Sequence, residues 1–461
     1  MRTRARAGSP AVAVTVVLLC ALTLALGYLN KARCAGAPFA ENGRSLVFDR
    51  LKDRNFCYSD IQFLWLGRDI DNHVFPYLTG GITPDGVLTG GTVEYPVLSG
   101  LLMWLGGIGA HNDAEFLLNS ALILVPFGLA TAWMLGRLAG WPALLWAAAP
   151  PLVLYAFHNW ELPVVAAATA ATFVVVYYRR IPLRTRAVGA AVLLAIGLCL
   201  KIYPGAFVLP LMAFVFTGGT DGAELPASAR GRFDPRGALM VAAAAAGTVI
   251  AINLPFAVAG YPGWLASFTF QSARQADITT NSVWYWGVRR LFGGVEGRGS
   301  AFATFVDVAS PLLIAASFAL ALWLGLRRYL REGSYPWIAV SAAMLCGFLL
   351  LHKVHSPQYT LWLIPFLVLL RVPWALIGGY LLADLAMGIG VFRYFYELST
   401  GSDAPAMEFV VQFGVWGRAA LLVVLFFVFL RSRPRWETAP PDDDLRPAAG
   451  RPDPALTAAA S

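Results

Sequence analysis

Long apolar runs separated by short polar breaks dominate this chain. They occupy residues 11–30, 96–109, 116–136, 141–157, 160–178, 187–200, 205–217, 237–259, 303–326, 337–351, 358–371, 372–392 and 409–430. Most run to about 15–22 residues, enough at 1.5 Å per residue to cross or nearly cross a bilayer. No segment alternates polar and apolar residues in the manner of a barrel strand. The pattern predicts an all-α polytopic membrane protein.

The breaks orient the runs. Arg2, Arg4 and Arg6 precede the first run and place the N-terminus in the cytoplasm. That run reads as an uncleaved first helix; the competing reading is a signal peptide ending at the small residues Cys34-Ala35-Gly36-Ala37. The arginines at 179–186, 230–236, 327–331 and 431–435 then mark inner loops. Between the outer loop 31–95 and the inner block at 179 lie four apolar runs, so one fails to cross. The run 141–157, broken by Pro150-Pro151, is the expected exception. The expectation is about 12 crossings plus one partial helix. A membrane domain over 1–433 carries the first extracytoplasmic loop, 31–95, with short interfacial helices, and a second large outer loop, 260–302. A Pro- and Asp-rich tail, 434–461, is expected to be disordered in the cytoplasm.

Composition agrees, with 58% hydrophobic and 13% charged residues. The net charge of +8 is spread over these loop arginines and is no nucleic-acid signal. Cys20, Cys199 and Cys346 fall in apolar runs; Cys34 and Cys57 share the first loop and pair if it is exported, which the sequence alone does not decide. No cysteine pair has zinc spacing, so neither a metal site nor a cofactor is expected.

The polar residues that interrupt apolar sequence all fall on the outer side. They are Asp60, Arg68, Asp69, Glu94, Glu161, Lys201, His352, Lys353 and His355. In His352-Lys353-Val354-His355-Ser356-Pro357-Gln358-Tyr359, two of the five histidines lie within four residues of each other. Cationic donors at a helix mouth are costly unless an anion or water meets them. His352 and His355 are expected one turn apart on a helical face, where both meet one headgroup.

Taken in order, Cys57-Tyr58-Ser59-Asp60, Arg68-Asp69, Glu94-Tyr95-Pro96-Val97, His158-Asn159-Trp160-Glu161, Lys201-Ile202-Tyr203-Pro204 and the 352–359 stretch with Trp362 resemble the GT-C glycosyltransferases. The likeness is greatest to the glycosyltransferase 87 group, polyprenyl-phosphate-mannose-dependent mannosyltransferases, and covers most of the chain. Two positions depart from that pattern: Val97 stands where a second proline is common, and Glu161 where Asp is common.

The resemblance implies a GT-C-type fold and transfer of a sugar, mannose in that group, from a polyprenyl-phosphate donor to a lipid or glycan acceptor, with membrane lipids as further partners. The enzyme would sit in the cytoplasmic membrane with its active site on the extracytoplasmic face. A lipid phosphate leaves without protonation, so one carboxylate suffices as base; Asp60 is that residue, with inversion at the anomeric carbon. Lys201, His352, Lys353 and His355 would stabilise the departing phosphate. Arg68, Glu94, Tyr95, Glu161, Gln358 and Tyr359 would contact substrate. Competing readings make Asp60 a helix cap, Lys201 and Lys353 interfacial snorkels, Tyr359 an aromatic-belt anchor, and the aromatic loop 260–302 a set of interfacial helices. The competing class is a transporter or lipid flippase, whose ionisable residues would sit near the midplane on broken helices.

Overall fold

A computed structural model of the chain describes residues 8–227, 229 and 233–437. The N-terminal arginines and most of the tail lie outside the described residues. The chain is an all-α membrane protein, its helices packed into one bundle with a polar end and an arginine-bearing end.

Helix α1 (Pro10–Ala32) is capped by Ser9, whose Oγ accepts from the Val12 amide at 3.2 Å. Its 23 residues span roughly 35 Å. The Gly8 amide donates to the Arg137 carbonyl at 2.9 Å, pinning the start of α1 to the last turn of α5 (Asp113–Ala139). The two helices are therefore antiparallel. They approach closely at Gly136, where a Cβ would lie 2.9 Å from the Ala13 Cα; small residues at such crossings let the backbones meet.

The first loop holds two short helices, α2 (Phe48–Leu51) and α3 (Asp60–Gly67), and an unexpected hairpin pairing β1 (Gly81–Ile82) with β2 (Leu88–Thr89). A Cys34–Cys57 disulfide ties this loop to the end of α1.

The non-crossing segment differs from the one expected. Helix α4 (Val97–Gly107) has 11 residues, roughly 16 Å. Both its ends stay at the polar end: Ser99 Oγ donates to the Leu200 carbonyl at 2.7 Å, and Gly107 packs on Ile70. The 141–157 stretch instead runs the length of the bundle. A 3-10 turn (Trp141–Ala143), α6 (Leu144–Ala147) and α7 (Pro150–Tyr155) carry it upward. Trp146 Nε1 reaches the Gly128 carbonyl at 3.2 Å, and Ser59 Oγ reaches the Phe157 carbonyl at 2.6 Å. Pro150 and Pro151 do not turn the chain back, because proline is tolerated in a helix's first turn and α7 restarts there.

From Glu161 the course alternates. Helix α8 (Glu161–Tyr177) descends to the basic end, α9 (Leu183–Leu200) climbs, and α10 (Tyr203–Ala206) with α11 (Val208–Phe216) returns. Helix α12 (Pro235–Ala259) climbs to α13 (Tyr261–Ala273) and α14 (Val283–Trp286) at the polar end. Helix α15 (Ala301–Glu332) descends and α16 (Trp337–Leu351) climbs. A 3-10 turn (Pro357–Tyr359) and α17 (Thr360–Leu369) descend, α18 (Trp374–Ser399) climbs and α19 (Pro405–Arg431) descends. Residues 434–437 are not loose: Pro434 bridges Leu370, and Trp436 is buried.

Among the described residues, eight helices are long and apolar enough to cross a membrane. The expected figure of about 12 crossings is not reached by length and composition, because Trp141–Tyr155, Glu161–Tyr177, Trp337–Leu351 and Pro357–Leu369 are shorter. The short helices α8, α16 and α17 are almost wholly buried, whereas the long α12 and α15 expose most of their surface. Short, all-round apolar helices thus form the centre, and α12 and α15 form the most exposed part of the rim.

Helix α4 sets a test of the corrected course. Cysteines placed at the exposed positions Asp85 and His111 should react with an impermeant maleimide from the same side of sealed vesicles, and one at Arg180 from the other side. Opposite reactivity at 85 and 111 would mean that 97–107 crosses.

Candidate active site

The first loop hangs on the α7–α8 connection. The Asp60 amide donates to the His158 carbonyl at 2.8 Å, beside the Ser59–Phe157 bond. These contacts start α3 with the Asp60 carboxylate facing the bundle. Tyr58 Oη donates to Oδ1 at 2.8 Å, and Asn159 Nδ2 donates to Oδ2 at 2.7 Å. The same Asn159 nitrogen lies 2.7 Å from Tyr95 Oη. The carboxylate therefore binds side chains rather than helix amides, so the capping alternative does not describe it. Two bonds leave further lone pairs for a substrate hydroxyl. Lys31, buried at the end of α1, donates to the Tyr58 carbonyl at 2.7 Å.

Behind Tyr95 lies a second unit. Lys201 takes extended backbone at the C-cap of α9, where the helix ends before Tyr203-Pro204. Its ammonium pairs with the wholly buried Glu161, whose other oxygen accepts from Trp362 Nε1 at 2.6 Å. Aromatic rings enclose the ammonium: Tyr95 at 5.0 Å, Tyr359 at 5.5 Å and Trp362 at 5.8 Å. Trp362 is stacked between Tyr203 and Tyr359, with centroids at 4.3 and 3.9 Å. Burial works against the Lys201 charge, but the Glu161 carboxylate, with Tyr359 and Asp60, holds its pKa above the usual lysine value. Lys201 is thus a fixed cation among aromatic faces and not an interfacial snorkel.

Arg68 and Glu94 bracket the site's outer wall. Arg68 Nε lies 2.5 Å from Glu94 Oε2, and its guanidinium sits over Phe270. Gln271 Nε2 donates to the Glu94 carbonyl at 2.6 Å, joining α13 to the first loop.

The 352–359 stretch departs most from expectation. Helix α16 ends at Leu351 and His352 has φ −68°, ψ 138°, so His352 and His355 share no helical face. His352 stacks on Phe348, with Nδ1 2.7 Å from the Val354 carbonyl. Burial, with Lys353 and Arg274 nearby, lowers its pKa to about 4. The His355 amide donates to the Thr280 carbonyl at 2.7 Å; burial and then Arg418 push its pKa well below the usual value. Burial thus disfavours the cationic form of both rings. Lys353 turns away, pairing with Asp307 on α15 at 2.6 Å and bonding the Ser272 carbonyl at 2.9 Å. Gln358 is buried.

The structure therefore brings together Asp60, Tyr95, Glu161, Lys201 and Tyr359, with Arg68 and Glu94 alongside. It does not bring Lys353 to them. Tyr58, Asn159, Trp362 and Lys31 join the group although their residue types gave little signal. Asn159 and Trp362 lie inside motifs singled out for their charged neighbours, while Lys31 ends an apolar run as any snorkelling lysine would.

Removing one partner of a buried ion pair costs about 3–5 kcal/mol, because the other charge is left unpaired. K201M and E161Q should each lower the melting temperature of the purified protein, and K201M/E161M should lose less than the sum of K201M and E161M. Additive losses in that cycle would show that the pair is not coupled.

No family model matches the chain, and no curated protein matches it. Among solved structures, it is similar to the apo form of the oligosaccharyltransferase of Archaeoglobus fulgidus, with a TM-score of 0.39 and 12% sequence identity. The match covers 90% of this chain and 56% of that one, so the chain spans little more than half the length of that enzyme. At this score and identity, function has to be read from the side chains of this chain itself.

Proposed function

We propose that the protein is a GT-C-type membrane glycosyltransferase of the glycosyltransferase 87 kind. It would transfer a sugar, mannose in this reading, from a polyprenyl-phosphate carrier to a lipid or glycan acceptor of the cell envelope. The observation that carries the proposal is the Asp60 carboxylate, oriented by Tyr58 and Asn159 and joined through Tyr95 to the aromatic-lined Lys201–Glu161 unit.

Asp60 takes the proton of the acceptor hydroxyl. The freed oxygen attacks the anomeric carbon, the bond from that carbon to the phosphate oxygen breaks, and the lipid phosphate leaves with the bonding pair. A single displacement with one carboxylate inverts the anomeric configuration. The rings of Tyr95 and Tyr359 offer faces for the sugar, and Trp362, covered on both sides, backs Tyr359. Lys201 adds positive potential where phosphate charge develops, though Glu161 already offsets much of it. The polar end of the bundle would face the extracytoplasmic side of the cytoplasmic membrane, with the Arg179–Arg186 block inside.

A transporter remains the second reading, favoured by one observation: Asp384 and Arg418 are buried midway along α18 and α19. The two readings separate in proteoliposomes. Labelled polyprenyl-phosphate mannose with an envelope-lipid extract should yield a mannosylated lipid with the wild-type chain. D60N should lower the rate by about 10²–10⁴-fold, the usual contribution of a general base. Transfer by D60N at the wild-type rate would remove Asp60 from the chemistry; uptake of label without transfer would favour the transporter.

A further inference from the structure

The arginine-bearing end of the bundle holds a cavity of about 310 Å³, far from Asp60. It lies between the ends of α8, α11 and α15, the starts of α9 and α16, and the segment 432–437. That last wall is fixed. The Arg371 amide donates to the Arg433 carbonyl at 3.0 Å, and the Arg435 amide to the Leu369 carbonyl at 2.9 Å.

Two arginines that line the cavity are buried, Arg186 at 3% exposure and Arg328 at 8%. Each has a carboxylate neighbour, Glu224 and Glu332 respectively, yet neither guanidinium is fully used. Arg186 gives Nη1 to the Val175 carbonyl, and its Nε has no hydrogen-bond partner. Arg328 gives Nη1 to the Leu430 and Ser432 carbonyls at 3.0 and 2.8 Å, and Nε to Glu332 at 2.9 Å. Among the described residues nothing accepts from its Nη2, nor from the indole N–H of Trp337 or Trp436, two further buried lining residues. Spare donors of this kind call for an acceptor-rich group.

Net charge along the lining is close to balance. Arg179 and Arg433 also face the cavity, but so do Asp221, Glu332 and Glu437. Glu437 lies in the field of Arg328, Arg433 and Arg179. Among the described residues, neither Glu437 nor Asp221 forms an ion pair within 4.0 Å. The signs are segregated by depth. Both buried lining charges are arginines, whereas all three carboxylates are exposed.

We propose that this cavity binds a zwitterionic phosphate monoester from the aqueous side, its phosphate on Arg186 and Arg328 and its ammonium at Asp221 and Glu437. The site is separate from the Asp60 centre and does not depend on the transferase reading. A monoester phosphate carries three strong acceptor oxygens, which match guanidinium and indole donors better than a carboxylate's two. A ligand near zero net charge also fits a lining near balance. A bare phosphate would face the exposed carboxylates uncompensated, and a bare amine the arginines.

Phosphoethanolamine, ethyl phosphate and ethanolamine, titrated by calorimetry into the purified full-length chain, probe both ends of the site. Wild type should bind phosphoethanolamine about tenfold tighter than ethyl phosphate, the worth of one charge-assisted hydrogen bond, and ethanolamine least. R186Q should weaken both phosphates at least tenfold. R433Q, which alters an exposed side chain and spares the fold, should weaken them less. D221N/E437Q should abolish the preference for the amine, and K201M, at the other end of the bundle, should leave binding intact. The proposal falls if wild type binds neither phosphate, binds the two alike, or if monodisperse R186K and R433Q bind them unchanged. Loss of binding in K201M but not in R433Q would move the phosphate to the outer site and overturn it. Binding of short-chain phosphatidylethanolamine without phosphoethanolamine would overturn the soluble monoester in favour of a lipid headgroup.

Discussion

The candidate site depends on how the first loop is hung. Two hydrogen bonds, from the Asp60 amide to the His158 carbonyl and from Ser59 Oγ to the Phe157 carbonyl, join residues about a hundred positions apart. Carbonyls 157 and 158 are free to accept because α7 ends at Tyr155 and α8 begins only at Glu161. The loop thus completes an unsatisfied helix terminus, and the helix terminus fixes the loop. Asn159, in the same connection, then bonds the carboxylate that the loop delivers. Backbone need and side-chain chemistry are met by the same three residues. The disulfide and Lys31 hold the loop's other end.

Deeper in, the constraint is electrostatic. A buried ammonium needs a counter-charge, and Glu161 supplies it from the first turn of α8. Trp362 then satisfies the second carboxylate oxygen from α17, so α8, α9 and α17 meet at one fully bonded pair. A buried pair of this kind contributes little net stability against an apolar replacement, but it dictates geometry. Here it sets the aromatic rings of Tyr95, Tyr359 and Trp362 around a single charge. Rigid faces around a cation, beside a carboxylate held by two donors, suit a sugar phosphate better than a permeating solute.

The residues most legible in the sequence were those whose cost in a membrane is highest. Asp60, Glu161 and Lys201 stood out because a charge beside an apolar run demands a reason, and each has one here. Asn159 and Tyr58 carry no charge, so apolar patterning does not mark them. The 352–359 stretch misled for a different reason. Its histidines have the spacing of one helical face, but the helix stops at Leu351 and burial disfavours the charged form of both rings. Lys353 found Asp307, a residue in an apolar run whose partner only folding reveals. The choice of 141–157 as the non-crossing run treated Pro150-Pro151 as a reversal. Proline in a first turn interrupts a helix without redirecting it, whereas the 11-residue α4 lacks the length to cross.

The short central helices connect fold and site. Helix α16 ends and α17 begins well below the tops of α18 and α19, so the loop between them lies sunk within the bundle. Such loops carry backbone groups that must be bonded at membrane depth, and irregular backbone is tolerated there only where protein covers it or a cavity adjoins it. Thr280 and Asn281 meet part of that need by accepting from the His355 amide and from Arg418. The Asn281 and His355 side chains are not fully satisfied by this exchange. Polar backbone and side chains lie at this depth because the central helices are short, and the few polar residues of the sunken loop must bond one another there.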